Sequence, residues 1–207
     1  MNKPFILAII SKGGFFVYPI LICSVVALAI FLKKFFLTRN KNIISKSFIA
    51  EFNNYVSAGD ILRAIDLCKK NSTVYSKIAL VILSYEGKSK EEIEKIAEDE
   101  GSKQIFLLSQ SNELLGSLSN ISTLLGLLGT ISGMITVFQV ISTQTVVDPP
   151  SLAGGISEAL YTTAFGLIVA IPTFIGYKFI NNKISEISNN LQEESRKLII
   201  ELTKQWK

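Results

Sequence analysis

The chain has 207 residues, 48% of them hydrophobic and 18% charged, with a net charge of +4, two cysteines and no histidine. That balance suits a small integral membrane protein better than a soluble domain of the same length. The absence of histidine removes the commonest metal ligand and general base. No carboxylate pair, glycine-rich phosphate loop or nucleophile elbow takes its place, so the residues give no basis for an enzyme, a metal site or a cofactor.

Residues 1–12 form a short segment ahead of the first apolar stretch, which has no charge over residues 13–32 and predicts a first membrane span over 13–33. No Ala-x-Ala-like site follows that stretch and its positive flank comes after it, so no signal cleavage is expected. Ile22 stands before Cys23 where lipoprotein processing wants a small residue, so Cys23 reads as a packed thiol. Cys68 falls in the polar region that follows, and a disulfide between the two would break the topology.

Residues 34–113 carry nearly all the acidic side chains and read as a water-exposed helical insert. Ile43, Phe48, Phe52 and Val56 recur at helical intervals, and Gly59-Asp60 opens another helix with Leu62, Ile65 and Leu67. After a turn at Gly87, Glu91, Glu92 and Glu94 enrich the start of a helix that meets no proline before the second apolar stretch. A rod longer than the bilayer is expected there.

Residues 114–147 contain no ionisable side chain and are dense in Gly, Ser and Thr, which predicts a second span over 114–143 with a close-packing face. Ser119, Thr123, Gly126, Thr130, Gly133 and Val137 form one helical stripe, with Gly129 and Gly133 as a Gly-x-x-x-Gly pair. A loop over 144–152, with Asp148, Pro149 and Pro150, leads to a third span over 153–178. Gly126, Gly129, Gly133, Gly154, Gly155 and Gly166 are expected to serve helix packing, and Pro172 permits a kink. Residues 179–207 form an amphipathic partner helix, with Ile180, Ile184, Ile187 and Leu191 on a stripe that Leu198, Leu202 and Trp206 resume.

Lys and Arg number two before the first span, thirteen over residues 33–103, none between spans two and three, and six from Lys178 onward. The positive-inside rule then places the N-terminus and the 144–152 loop outside, and the insert and C-terminal tail in the cytoplasm. Basic excess at span ends serves topology and the lipid surface; no nucleic-acid partner is expected.

Several motifs carry a family resemblance. Gly13-Gly14 with Tyr18-Pro19-Ile20-Leu21 and Leu28-Ala29-Ile30 lies in span one, and the Gly59-Asp60-Ile61-Leu62-Arg63-Ala64-Ile65 run, through Cys68, in the insert. Gly126-Leu127-Leu128-Gly129-Thr130-Ile131-Ser132-Gly133-Met134 covers span two. Gly154-Gly155-Ile156-Ser157-Glu158-Ala159-Leu160 and Thr162-Thr163-Ala164-Phe165-Gly166-Leu167, up to Ile171-Pro172, cover span three. The chain resembles the MotA/TolQ/ExbB proton channel family, and three spans with little before the first resemble its ExbB and TolQ branch. Asn120-Ile121-Ser122 departs from the family's Ala-Pro-Tyr-like entry to span two.

The resemblance implies an all-α membrane protein of the bacterial inner membrane, assembled as a ring of five copies. It also implies a dimer of single-span ExbD- or TolR-like chains inside the ring, carrying the proton-binding Asp, and a TonB- or TolA-like protein beyond. The implied function is a proton-channel subunit coupling proton motive force to work across the periplasm, without a cofactor. A non-conducting membrane scaffold and a flagellar or gliding-type motility stator are the alternatives.

From spacing alone, each membrane Thr bonds its own helix's carbonyl one turn back. The motif match instead places Thr130 and Thr163 on the cavity, while Thr123, Thr136, Thr162 and Thr173 stay as packing residues. Glu158 is the sole acidic residue within a predicted span, which marks it as a candidate for admitting protons or for holding spans together.

Overall fold

The computed structural model describes residues 13–38, 46–71, 73–85, 87–144 and 148–205. Among them are six helices and no strand: α1 Val17–Leu37, α2 Lys46–Ser57, α3 Ile61–Lys70, α4 Val74–Leu83, α5 Lys90–Thr143 and α6 Pro149–Gln205. Three of them, α1, α5 and α6, are long and apolar enough to cross a membrane. Ile43 and Trp206, and the segment 1–12, lie outside the described residues.

The long rod anticipated from the 90s onward is a single 54-residue helix, about 81 Å along its contour. The third span and the C-terminal amphipathic segment are likewise one helix of 57 residues, which starts at Pro149, inside the stretch read as loop. Proline suits that first position, since its missing N–H has no helical partner there in any case. Pro172 stands inside α6 with its side chain exposed.

Two compact units share these helices. The first takes in the described residues up to Lys33 together with Ser111–Lys178; the second takes in Lys34–Gln110 and the described residues from Phe179 on.

In the second unit, the helix ends follow from named side chains. After α2 the backbone closes a Schellman turn, with Gly59 N–H on the Val56 carbonyl at 3.0 Å and Asp60 N–H on the Tyr55 carbonyl at 2.9 Å. Gly59 sits at φ +74°, the left-handed conformation that turn requires. Asp60 then caps α3 by accepting from the Arg63 N–H at 3.2 Å, and Thr73 caps α4 by accepting from the Ser76 N–H. Ser89 and Glu92 form a reciprocal capping box at the start of α5, at 3.1 and 3.3 Å.

The core of this unit joins Phe48, Phe52, Cys68, Tyr75 and Ile78 to Ile93 of α5 and to Leu191, Leu198 and Leu202 of α6. The Tyr75 ring meets Phe48 and Phe52 edge-on, at 6.2 and 6.0 Å. Two expectations change here. Of the stripe of α6 read as a face for a partner, Ile187, Leu191, Leu198 and Leu202 are buried within the chain's own core. Leu62, read as an inward position of α3, is 82% exposed, and Ala64 and Cys68 supply the packed face instead.

Burial pushes the Cys68 thiol up to about 12 from an ordinary 9.0, and the Tyr75 hydroxyl rises for the same reason. Both groups are neutral acids in the folded unit. Below pH 9 both states hold the thiol proton and stability does not depend on it. Between about 9 and 12 the unfolded thiol ionises and the folded one does not, so stability falls as pH rises, by up to about 1.4 kcal/mol per pH unit. Circular-dichroism melts in detergent should therefore show a midpoint that drops above pH 9, with a shallower drop in Cys68→Ala.

Candidate functional site

The first unit contains the three spans and all the membrane residues singled out in the sequence. Its helices meet at positions without side chains. A Cβ built on Gly126 would lie 3.3 Å from the Cα atoms of Gly166 and Thr163, and one on Gly166 would lie 2.7 Å from the Ser122 carbonyl oxygen. Farther along, a Cβ on Gly133 would come within 2.7 Å of the Ala159 Cβ, and one on Gly155 within 2.6 Å of the Val137 side chain. A Cβ on Gly129 would strike the Thr162 side chain. α5 and α6 thus approach backbone to backbone, the arrangement that lets van der Waals contact hold helices together where lipid offers no hydrophobic drive. Gly154, expected to serve packing, instead has nothing within 4 Å of its Cβ position.

Span one joins this pair through Val17 and Ile20, both fully buried, which pack on Phe165 and Val169 of α6. Toward the C-terminal end of span one a Cβ on Gly176 would lie 2.9 Å from the Phe31 ring. At the start of span one, Thr162, buried and on α6, donates to the Gly13 carbonyl, sharing that hydroxyl with the Glu158 carbonyl at 3.0 Å. Gly14, at φ +64°, lies beneath the Glu158 carboxylate, and any Cβ there would collide with it. Glu158 itself is exposed, with its carboxylate over the Gly14 turn.

Thr163 crosses between helices: its hydroxyl donates to the Gly126 carbonyl of α5 at 2.8 Å. Thr130 does not; its hydroxyl donates to the Leu127 carbonyl of its own helix at 2.7 Å. In helical bonding the Gly126 carbonyl is also the acceptor for the Thr130 N–H, so the two hydroxyls occupy one turn of α5. Both side chains are half-buried, at the edge of the packed face. Thr123, Thr136 and Thr173 bond their own helices' carbonyls four residues back, and Thr123 is exposed rather than on the packed stripe.

Two buried polar residues that periodicity does not mark as bond formers also cross between α5 and α6. Ser119 donates to the Ala170 carbonyl at 2.8 Å, and Asn112 to the Tyr177 carbonyl at 3.4 Å. The one signal for them was seven-residue spacing from Gly126, which periodicity cannot separate from ordinary helix faces. Among the described residues no group of three or more His, Cys, Asp or Glu could hold a metal ion.

A family model described as the MotA/TolQ/ExbB proton channel family matches residues 68–193. The chain belongs to that family. It is 30% identical over 115 residues to a protein of Synechocystis sp. named as an ExbB-like biopolymer transport protein, covering 54% of this chain and 55% of that one. It is 39% identical over 54 residues to the biopolymer transport protein ExbB of Aquifex aeolicus, covering 26% of this chain and 36% of that one. The matches thus span about half and about a third of the curated relatives' lengths. As a member of the MotA/TolQ/ExbB family the chain is a multi-pass membrane protein, and the matched stretch takes in the whole glycine-faced contact of α5 and α6.

Gly166→Ala should destabilise the spans by about 1–3 kcal/mol, because the atoms it meets are backbone and cannot move aside. Gly154→Ala, with open space and a gain in helix propensity, should be neutral or stabilising by up to about 1 kcal/mol. Thermal unfolding of the two variants in the same detergent compares them directly.

Proposed function

We propose that this protein is the ring-forming, ion-conducting subunit of an inner-membrane motor of ExbB–ExbD or TolQ–TolR type. It couples proton motive force to mechanical work transmitted across the periplasm. The observation that carries this is the Thr163 hydroxyl on the Gly126 carbonyl, on the turn of Thr130, in a charge-free seam of a member of the proton channel family. With their protons engaged, both hydroxyls keep lone pairs open to a protonated carboxyl or a water, and each can rotate to donate instead.

On this proposal five copies surround a dimer of single-span ExbD- or TolR-like chains whose Asp carries the proton between the hydroxyls. The insert and both long helices' polar ends are cytoplasmic, and the 144–152 loop and N-terminus periplasmic, a reading that the distribution of Lys and Arg supports. A TonB- or TolA-like protein takes up the motion. Each unit charge crossing 100 mV releases about 2.3 kcal/mol, so a few protons drive a conformational cycle with no nucleotide and no covalent chemistry on this chain. Glu158, over the Gly14 turn, holds spans one and three together at the outer end and offers a carboxylate to entering protons.

The test is proton uptake by liposomes holding this chain with its single-span partner under an imposed potential. Flux should require the partner, fall at least tenfold in Thr163→Val and fall measurably in Glu158→Gln. Full activity of Glu158→Gln removes the proton-admission role. No flux from a well-formed complex gives the non-conducting scaffold, a reading that the self-satisfied Thr130 hydroxyl favours. Flux that turns a cytoplasmic rotor gives the motility stator.

A further inference from the structure

The contact between spans two and three carries cross-helix hydrogen bonds that recur with one period on both helices. Asn112 Nδ2 donates to the Tyr177 carbonyl at 3.4 Å, Ser119 Oγ to the Ala170 carbonyl at 2.8 Å, and Thr163 Oγ1 to the Gly126 carbonyl at 2.8 Å. Asn112, Ser119 and Gly126 stand seven residues apart on α5, and Thr163, Ala170 and Tyr177 stand seven apart on α6. The three bonds are therefore rungs of one antiparallel heptad seam. Asn112 is 0% exposed and Ser119 4%, so neither faces lipid or a cavity.

We infer that Asn112 and Ser119 are positioning residues that set the register of span two against span three, and thereby hold Thr163 on the Gly126 carbonyl. The inference about register stands on the rungs; its consequence for conduction rests on the proposed proton path. Small residues bring the helices close, and directional hydrogen bonds add a constraint on their alignment beyond that contact. A slip of one turn moves each carbonyl by about 5.4 Å: the Ser119 and Thr163 hydroxyls can turn back to their own helices' carbonyls, but the buried Asn112 amide loses its one partner. The short connection between α5 and α6 restrains only their outer ends, whereas the Asn112 rung lies at the opposite end of the seam.

Asn112 also has the character of a residue kept for alignment rather than strength. Its Oδ1 is buried without a hydrogen-bond partner, the one such side-chain atom among the described residues. A half-satisfied amide is less favourable than an apolar side chain of similar size. A buried polar group that weakens a helix contact while fixing its register is the best-attested role for such groups in coiled coils.

The experiment compares the wild-type chain in lipid nanodiscs with Asn112→Leu, Ser119→Ala, the double variant and Ser119→Thr, by electron cryomicroscopy and thermal unfolding. The double variant should lose the Thr163–Gly126 bond, its 2.8 Å separation opening past about 3.5 Å, while Ser119→Thr keeps it. Asn112→Leu should melt at the wild-type temperature or above. A double variant that retains the bond overturns the inference, as does Asn112→Leu melting lower with register intact, which is what a plain packing contact gives. If the double variant does not assemble, the Thr163–Gly126 proximity in isotope-labelled Ser119→Ala, read by solid-state NMR, decides in the same terms. Because these readouts are structural, a wild type without proton flux sinks the proposed function and leaves the register result standing.

Discussion

The close approach of α5 and α6 at Gly126 and Gly166 is the constraint on which the membrane unit depends. With Cα atoms where side chains would otherwise stand, the Ser122 and Gly126 carbonyls come within reach of the facing helix. The Thr163 hydroxyl can then cross to Gly126. A larger residue at either glycine moves the helices apart and ends that bond. Polar contact between the spans is thus a consequence of small-residue packing, in a medium where apolar side chains gain nothing by leaving lipid.

The same contact explains how span one is placed. Val17 and Ile20 pack on Phe165 and Val169, on a different side of α6 from Thr163. Thr162, one residue away, has its side chain against Gly129 of α5 and its hydroxyl on the Gly13 carbonyl, while Thr163 bonds the Gly126 carbonyl of α5. Successive residues on a helix differ by about 100°, so a Thr-Thr pair serves two neighbours at once. Glu158 belongs with Thr162, four residues on, at the Gly13-Gly14 turn.

In the second unit the physics is that of water-soluble helices. Side-chain caps at Asp60, Thr73 and Ser89 stop and start the helices, and an aromatic cluster of Phe48, Phe52 and Tyr75 fills the core. The α6 stripe from Ile187 to Leu202 closes that core. One helix therefore uses a glycine face in one unit and a leucine and isoleucine stripe in the other, each matched to its surroundings.

The three charge-poor stretches, the all-helical character and the family were legible in the sequence, because hydropathy, helical spacing and quoted motifs are local properties. Gly59, Gly87 and the acidic start of α5 likewise marked turns and a helix start that local backbone chemistry dictates. Partner choice was not legible. Spacing treats Thr130 and Thr163 alike, yet one bonds its own helix and the other crosses, and Leu62 matched the inward pattern that Ala64 and Cys68 occupy. Nor did composition show that Gly154 faces open space while Gly155 meets Val137, or that Asn112 is buried. Periodicity specifies that a face exists; which facing backbone lies against it depends on the rotation and offset of a second helix, and only the tertiary structure decides those.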